Sequence, residues 1–293
     1  MNALVVINPQ AGGGKGMVIG ERVRKYLEGE SHELFFVQAP SVMESLGQTR
    51  LSCASRDFEL VISVGGDGLV HDLLPTLLEF SLPLLVIPAG TGNDFARTLG
   101  LYGCKLSTLL ELPKTHEPKP INIALVTHSD KETPFVQILS TGFDSVVNER
   151  ANNFKLIRGK VKYLVAVLQQ VWSFSPVHFT ISIDGEVQNR TAMLACVANG
   201  TSYGAGMKIV PHAKNDDDLL DLMVVDRVSP LRLLMVFPRV FLGTHVNHPM
   251  VHFFKGREIS ISGDTTAFAD GECISALPIR IRIADQKLQV YRL

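Results

Sequence analysis

Three glycine-bearing turns and two Asp-Gly-Glu tripeptides are the places where this sequence could do chemistry. The turns are NPQAGGGKG (8–16), GGDG (65–68) and PAGTGND (88–94). Glycine lets an anion reach backbone N–H groups without a Cβ in the way, and N–H groups at helix starts attract phosphate oxygens. The first turn has neither the full Walker spacing nor a GxGxxG, so alone it is a weak signal, because glycine turns after strands are common. Three such turns in one half of a chain point to a phosphate site. Asp67 reads in two ways: an Asx-turn or helix cap, or a carboxylate that orients a magnesium-bound nucleotide. Asn93-Asp94 likewise suits a helix cap, and Thr91 with Asn93 could contact a phosphate or ribose. Asp270-Gly271-Glu272 and Asp184-Gly185-Glu186 both read as hairpin turns.

The first turn follows an apolar run at 3–8, the second one at 60–64 and the third one at 84–87. Another strand is expected at 34–37, and helices at 17–27, 42–54, 70–80 and from 94. Continuous Val/Ile/Leu strands alternating with helices predict a parallel sheet covered on both faces. The turns then gather at the carboxyl ends of the strands, where open α/β sheets bind ligands. LPKTHEPKP (112–120) is proline-rich and polar and reads as a linker. Strand runs follow at 121–127, 135–140, 177–183, 192–198, 220–225, 250–254, 258–262, 279–284 and 287–291, with helices at 158–172 and 229–241. Their turn signals suit an antiparallel sandwich. The expected division is an α/β nucleotide domain over 1–118 and a β-sandwich over 119–285, with 286–293 a candidate to return to the first.

The 293 residues carry 28 basic and 29 acidic side chains. A balance that even argues against a nucleic-acid binder that works by charge. Cys53, Cys104, Cys196 and Cys273 show no zinc spacing and read as reduced thiols of a cytoplasmic protein. The N-terminus lacks a basic n-region, and no stretch reaches the roughly 20 apolar residues of a membrane span.

VGGDGLVHDLL, then PAGTGNDFARTLG, then a late DGE, resembles the diacylglycerol kinase catalytic family, which includes bacterial lipid kinases, sphingosine kinases and ceramide kinases. NPQAGGGKG is similar to the phosphate loop of that family; TGFDSVVN, NGTSYGAGMKIVPHAKNDDDLLDLMVV and GTHVNHP follow in its order. The resemblance covers nearly the whole chain. It implies a Rossmann-like nucleotide domain, a β-sandwich, and an active site between them. It places ATP on Asn8, Gly12, Gly65, Gly66, Gly68 and Thr91, with Asp67 organising nucleotide and Mg²⁺. Glu272 becomes the general base toward a lipid hydroxyl, most simply that of diacylglycerol, with Asp270 beside it. A structural divalent cation would map to Asp217 and the carbonyls of Lys214 and Leu219.

Three positions depart from the family pattern. Leu69 replaces a threonine after GGDG, Asn122 an aspartate, and Asp218 the glycine of the cation loop. The rival readings are an NAD kinase-like enzyme, which shares GGDG, and a nucleotide-binding regulator without turnover. A lipid acceptor implies peripheral contact with a membrane. Lys155, Arg158, Lys160 and Lys162 precede an apolar helix and could meet anionic headgroups. LRLLMVFPRVFLG (231–243) is a second candidate, though its apolar content reads first as a buried core helix. Whether the chain forms a homodimer is not legible.

Overall fold

The computed structural model describes residues 1–28, 33–39, 41–152 and 160–293. Lys155 and Arg158 lie outside the described residues. Contacts divide the chain into two units, 1–121 with 286–293, and 122–285.

The first unit runs β1 (Asn2–Ile7), α1 (Ala11–Glu28), β2 (Glu33–Val37), α2 (Val42–Ser55), β3 (Leu60–Gly65), α3 (Asp67–Glu79), β4 (Leu84–Pro88), α4 (Asp94–Thr98), α5 (Leu106–Thr115) and β5 (Lys119–Ile121). β2, β1, β3 and β4 pair in parallel, in that order. The C-terminal strand Leu288–Val290 continues the sheet beside β4 and pairs antiparallel with β5. Every residue of β3, and Ala3 through Ile7 of β1, is buried. This burial on both faces is why those strands read as unbroken apolar runs. Gly12, Gly13 and Gly14 take φ of 59°, 74° and 99° at the head of α1. Regular helix therefore starts only beyond them. Ser41 caps α2, its Oγ accepting from Glu44 N at 3.2 Å.

Two expectations change here. The 112–120 segment is not a free linker, because α5 runs through Pro113 to Thr115 and β5 joins the sheet. The run expected as one strand at 121–127 is two, since β5 ends at Ile121 in one sheet and the next strand opens at Ala124 in another. One strand cannot pair in both.

The second unit comprises β6 (Ala124–His128), β7 (Lys131–Phe135), β8 (Ile138–Gly142), α6 (Phe143–Asn152), α7 (Lys160–Gln170), β9 (Val177–Ile183), β10 (Glu186–Ala198), β11 (Leu220–Asp226), α8 (Pro230–Leu242), β12 (Val251–Gly256), β13 (Glu258–Ser262), β14 (Thr266–Ala269), β15 (Glu272–Ala276) and β16 (Ile279–Ile283). The C-terminal strand is β17. The antiparallel order is β15-β14-β8-β10-β9-β13-β16-β6-β7, with β11 and then β12 on the other edge of β10. β10 is the pivot: its first half pairs with β9 and its second half, 194–198, with β8. The sheet thereby closes over one core of alternating residues, among them Phe135, Phe179, Ile181, Val197, Leu222 and Ile259. α6 and α7 pack on a second apolar cluster around Phe143, Val147 and Val167, to which Leu233 and Phe237 of α8 contribute.

Candidate active-site residues

The glycine turns of the first unit touch one another through their main chains. A Cβ on Gly12 would lie 2.3 Å from the Ala89 carbonyl oxygen, and one on Gly90 would lie 2.5 Å from the Gly66 Cα. Ala89 N and Gly90 N both donate to Gly65 O, at 2.7 and 3.1 Å. A Cβ on Gly16 would lie 2.0 Å from the Asn8 carbonyl oxygen, so that glycine lets the first turn fold under itself. Asn8 shapes the same turn, its Oδ1 accepting from Gln10 N at 3.0 Å. Three separate stretches of sequence thus form one side-chain-poor surface at the carboxyl edge of β1, β3 and β4. Gly13 and Gly14 are exposed on it, and a Cβ at Gly14 would meet nothing within 4 Å. The surface fits a polyphosphate: backbone N–H groups, helix starts, and room that side chains would fill.

Asp67 opens α3 but does not cap it. Its Oδ1 accepts from Phe95 N at 2.9 Å, so the carboxylate holds the first turn of α4. Asn93, at φ 54°, braces its own turn with both amide groups: Oδ1 accepts from Gly90 N and Nδ2 donates to Gly90 O, each at 2.8 Å. Its part in the site is to fix the turn that presents Thr91, which is exposed. Leu69 is buried, packed on Gly65 and the wall of a cleft of about 300 Å³. Asn8, Gln10, Ser41, Ser45 and Asp72 line the rest of that cleft. Ser45 Oγ is buried there with no hydrogen-bond partner among the described residues, a donor that a bound polar group could satisfy. Sequence reasoning missed this cleft because 41–45 reads only as a helix start.

In the second unit both DGE tripeptides are hairpin turns, β14–β15 and β9–β10. Asp270 and Asp184 have φ of 51° and 49°, each followed by a positive-φ glycine. Asp270 is not free for chemistry. Its carboxylate accepts from Val136 N, Gln137 N and Ile138 N at 3.0, 2.9 and 3.3 Å, stapling the hairpin to the start of β8. Asp184 does the same for Arg257 N and Glu258 N, at 2.9 and 2.8 Å. Glu272 begins β15, opposite Ala269, and is exposed, with no partner for its carboxylate among the described residues. Asp270 therefore positions its hairpin, and Glu272, like Glu186 in the other hairpin, is a carboxylate left available.

The expected cation loop is differently built. Asp217 accepts from Leu219 N at 3.2 Å and from Lys255 Nζ at 3.1 Å. The same ammonium lies 3.5 Å from Asp221, whose side chain is 1% exposed. Burial pushes the Asp221 carboxyl upward, and Lys255 and His212 oppose that shift. Two of the three departures prove to be partners. With its amide oriented to satisfy both groups, Asn122 donates to Asp218 Oδ1 at 3.0 Å and accepts from Asp218 N at 2.9 Å. An aspartate at 122 would face a second carboxylate there. Asp218 sits at φ 60°, which explains a preference for glycine and which aspartate tolerates. Among the described residues no three acidic, histidine or cysteine side chains are grouped to hold a metal. The carboxylate assigned to a divalent cation already holds an ammonium, so Asp217, Lys214 and Leu219 do not fit that role here.

One feature the sequence reading passed over is a buried carboxylate in apolar surroundings. Asp144 is 3% exposed, bonded by the Tyr203 hydroxyl and, at 3.0 Å, by Asn148 Nδ2. It borders a cavity lined by Val167, Leu194, Met207, Phe237 and Val240. The signal lay in TGFDSVVN, read only as a landmark.

Residues 2–126 match the diacylglycerol kinase catalytic domain, and residues 137–292 the YegS C-terminal NAD kinase beta sandwich-like domain. A diacylglycerol kinase of Mycobacterium tuberculosis is 32% identical over 82% of this chain and 79% of its own length. One from Bacillus subtilis is 26% identical over 77% and 75%. The crystal structure of a diacylglycerol kinase from Bacillus anthracis superposes with a TM-score of 0.72 at 18% identity, over 100% of this chain and 97% of that one. With the glycine turns in the first unit and the antiparallel sandwich in the second, this chain belongs to the diacylglycerol kinase-like lipid kinases.

Proposed function

We propose that this enzyme transfers the terminal phosphoryl group of ATP, with Mg²⁺, to the hydroxyl of a lipid alcohol, diacylglycerol first. The observation that carries the nucleotide half is the main-chain approach of Gly12 to Ala89 and of Gly66 to Gly90, closer than any side chain permits. The lipid half rests on the family. Phosphoryl transfer asks a protein mainly to position two partners and to answer negative charge as it spreads. The N–H groups of the three turns do this for the phosphates, and Asp67 holds the α4 turn that flanks them. Bound magnesium would supply further charge neutralisation at the phosphates. Glu272 removes the hydroxyl proton as the oxygen attacks, since an alcohol of pKa far above 7 is otherwise a weak nucleophile. Asp270 keeps the hairpin that carries Glu272 in register.

Such an enzyme meets its acceptor at a membrane surface, and we place it at the cytoplasmic face as a peripheral protein. No helix among the described residues is long and apolar enough to cross a bilayer.

The test is labelled ATP against a panel of diacylglycerol, sphingoid base and ceramide, with Glu272→Gln beside the wild type. Glutamine keeps the shape and cannot accept the proton. Turnover should fall roughly 10²–10⁴-fold, with nucleotide affinity and melting temperature unchanged. Glu186→Gln, in the other DGE hairpin, should leave turnover intact. Loss of activity in Glu186→Gln but not Glu272→Gln would overturn the assignment of the base, and absence of phosphate incorporation into any lipid would overturn the reaction.

A further inference from the structure

Helix α8 is apolar on nearly every side, PLRLLMVFPRVFL, yet none of its 13 residues is buried. A helix with apolar side chains all round is ordinarily enclosed by protein or lipid. This was the segment expected to be a buried core helix, and it is not one. Leu233, Val236, Phe237 and Val240 turn inward and roof the apolar cavity beside Asp144. On the opposite side lie Leu231, Met235 and Leu242, exposed by 60%, 61% and 73%, with Pro238, also exposed, between the last two. At 100° per residue these four fall within about 60° of one another, diametrically across from the cavity-facing residues. Arg232 and Arg239, both exposed, stand together along one flank of this stripe, and exposed Arg227 precedes the helix. No carboxylate lies anywhere on α8. A solvated outer face would carry the reverse composition.

We propose that the outer face of α8 docks on an anionic phospholipid bilayer. Leu231, Met235 and Leu242 enter the boundary between headgroups and acyl chains, and Arg232 and Arg239 meet lipid phosphates. An amphipathic surface helix binds membranes through this combination of apolar area and cationic flank. Charge selects the occupant. A second copy of the chain laid on the same face would bring no acidic residue of α8 to answer the arginines. The docking takes its purpose from the lipid-kinase reading but is tested without nucleotide or acceptor.

The measurement is co-sedimentation with phosphatidylcholine vesicles, with and without phosphatidylglycerol, for wild type, Met235→Glu and Arg232→Glu/Arg239→Glu. Wild type should bind the phosphatidylglycerol vesicles and weaken as salt rises. Each arginine near an anionic surface contributes about fivefold in partitioning, so the double reversal should lose at least about tenfold. Met235→Glu should lose binding to a similar degree. Both variants should keep the wild-type melting temperature. Equal partitioning onto neutral and anionic vesicles, or undiminished binding by both variants, overturns the proposal. So does a wild-type dimer in sedimentation velocity that Met235→Glu dissociates, because a second copy then covers the face. Lipid phosphorylation can fail entirely and leave these outcomes unchanged, so the two readings fail separately.

Discussion

Replacing Asp270 by glycine separates positioning from chemistry within one hairpin. Its carboxylate receives three backbone N–H groups, from Val136, Gln137 and Ile138, and each of those residues is 2% exposed. Glycine accepts the φ of 51° without strain, so the loss isolates the hydrogen bonds. A buried donor left without an acceptor costs about 1–3 kcal/mol. Water can reach the half-buried turn and the third bond is long, so we take the low end for each, about 3 kcal/mol in all. For a unit of this size that shifts the melting temperature by roughly 6–12 °C. Asp184→Gly is the matched control: the same turn with the same positive φ, but its donors, Arg257 N and Glu258 N, lie in an exposed setting where water replaces the carboxylate. It should cost about 1 kcal/mol. Asp270→Asn, which retains an acceptor oxygen for Gln137 N and Ile138 N, should fall between and keep most of its turnover. The assay is thermal and urea unfolding of the three variants alongside activity. Equal shifts for the two glycine variants would refute the stapling argument. Asp270→Asn that melts like wild type but has lost turnover would show the carboxylate to be in contact with substrate.

Gly90→Ala places a Cβ 2.5 Å from the Gly66 Cα, a backbone atom that cannot turn aside, so the two turns must part. Calorimetric titration with ADP should show at least about a tenfold loss of affinity (about 1.4 kcal/mol), while Gly47→Ala, in open space on α2, should bind as wild type. Lys255→Met removes the ammonium shared by Asp217 and the buried Asp221; we expect about 2 kcal/mol of destabilisation, below the usual figure for a broken buried pair because Lys255 is partly exposed. Wild-type melting should be indifferent to Mg²⁺ or chelator, and a clear rise with Mg²⁺ would mean a metal does occupy the loop. His245 is buried beside the apolar cavity, and burial lowers its pKa below 6.5. The unfolded chain then takes up the proton first, so stability is complete above about pH 6.5 and declines as pH falls through the folded value; His245→Gln should flatten the fall in melting temperature between pH 7 and pH 5, and an unchanged slope would assign it to other groups.

The parallel sheet was legible because burial on both faces writes itself into sequence as unbroken Val, Ile and Leu, and the hairpins because Asp-Gly is what a two-residue turn with positive φ demands. α6 was not legible: FDSVVNERAN is ten residues and mostly polar, its few apolar positions too sparse to show a period. α8 was legible as a helix but not as an exposed one, because apolar content reports what a side chain avoids and not what covers it. The duties of the aspartates were least legible of all. Asp67 holds a helix 28 residues away and Asp270 a strand 132 to 134 residues away, and a carboxylate bound to backbone N–H groups at such range leaves no local mark. Asn122 and Asp218 each read alone as a loss; only in space do they become a pair.

That pairing bears on whether the chain has decayed from a kinase into a passive binder. Random loss would leave an unanswered charge or an open cavity where a residue changed. Instead Asn122 satisfies both the carboxylate and the N–H of Asp218, and Lys255 provides a cation between Asp217 and Asp221. The loop is rebuilt and self-consistent. The carboxylates sort themselves the same way. Asp67 is committed to α4, Asp270 to β8 and its approach, Asp184 to β13 and its approach, and Asp217 to Lys255. Each of these removes a candidate base by giving its oxygens structural work. Both DGE glutamates stay exposed at the first position of a strand, but the Glu272 hairpin is held by three buried N–H groups donating to Asp270 and the Glu186 hairpin by two exposed ones donating to Asp184. Fixing a turn that firmly has little value for an ordinary surface glutamate, whereas a general base must hold its oxygen within hydrogen-bond reach of one hydroxyl. The rigidity of the Asp270 staple is the physical reason to seek the chemistry at Glu272.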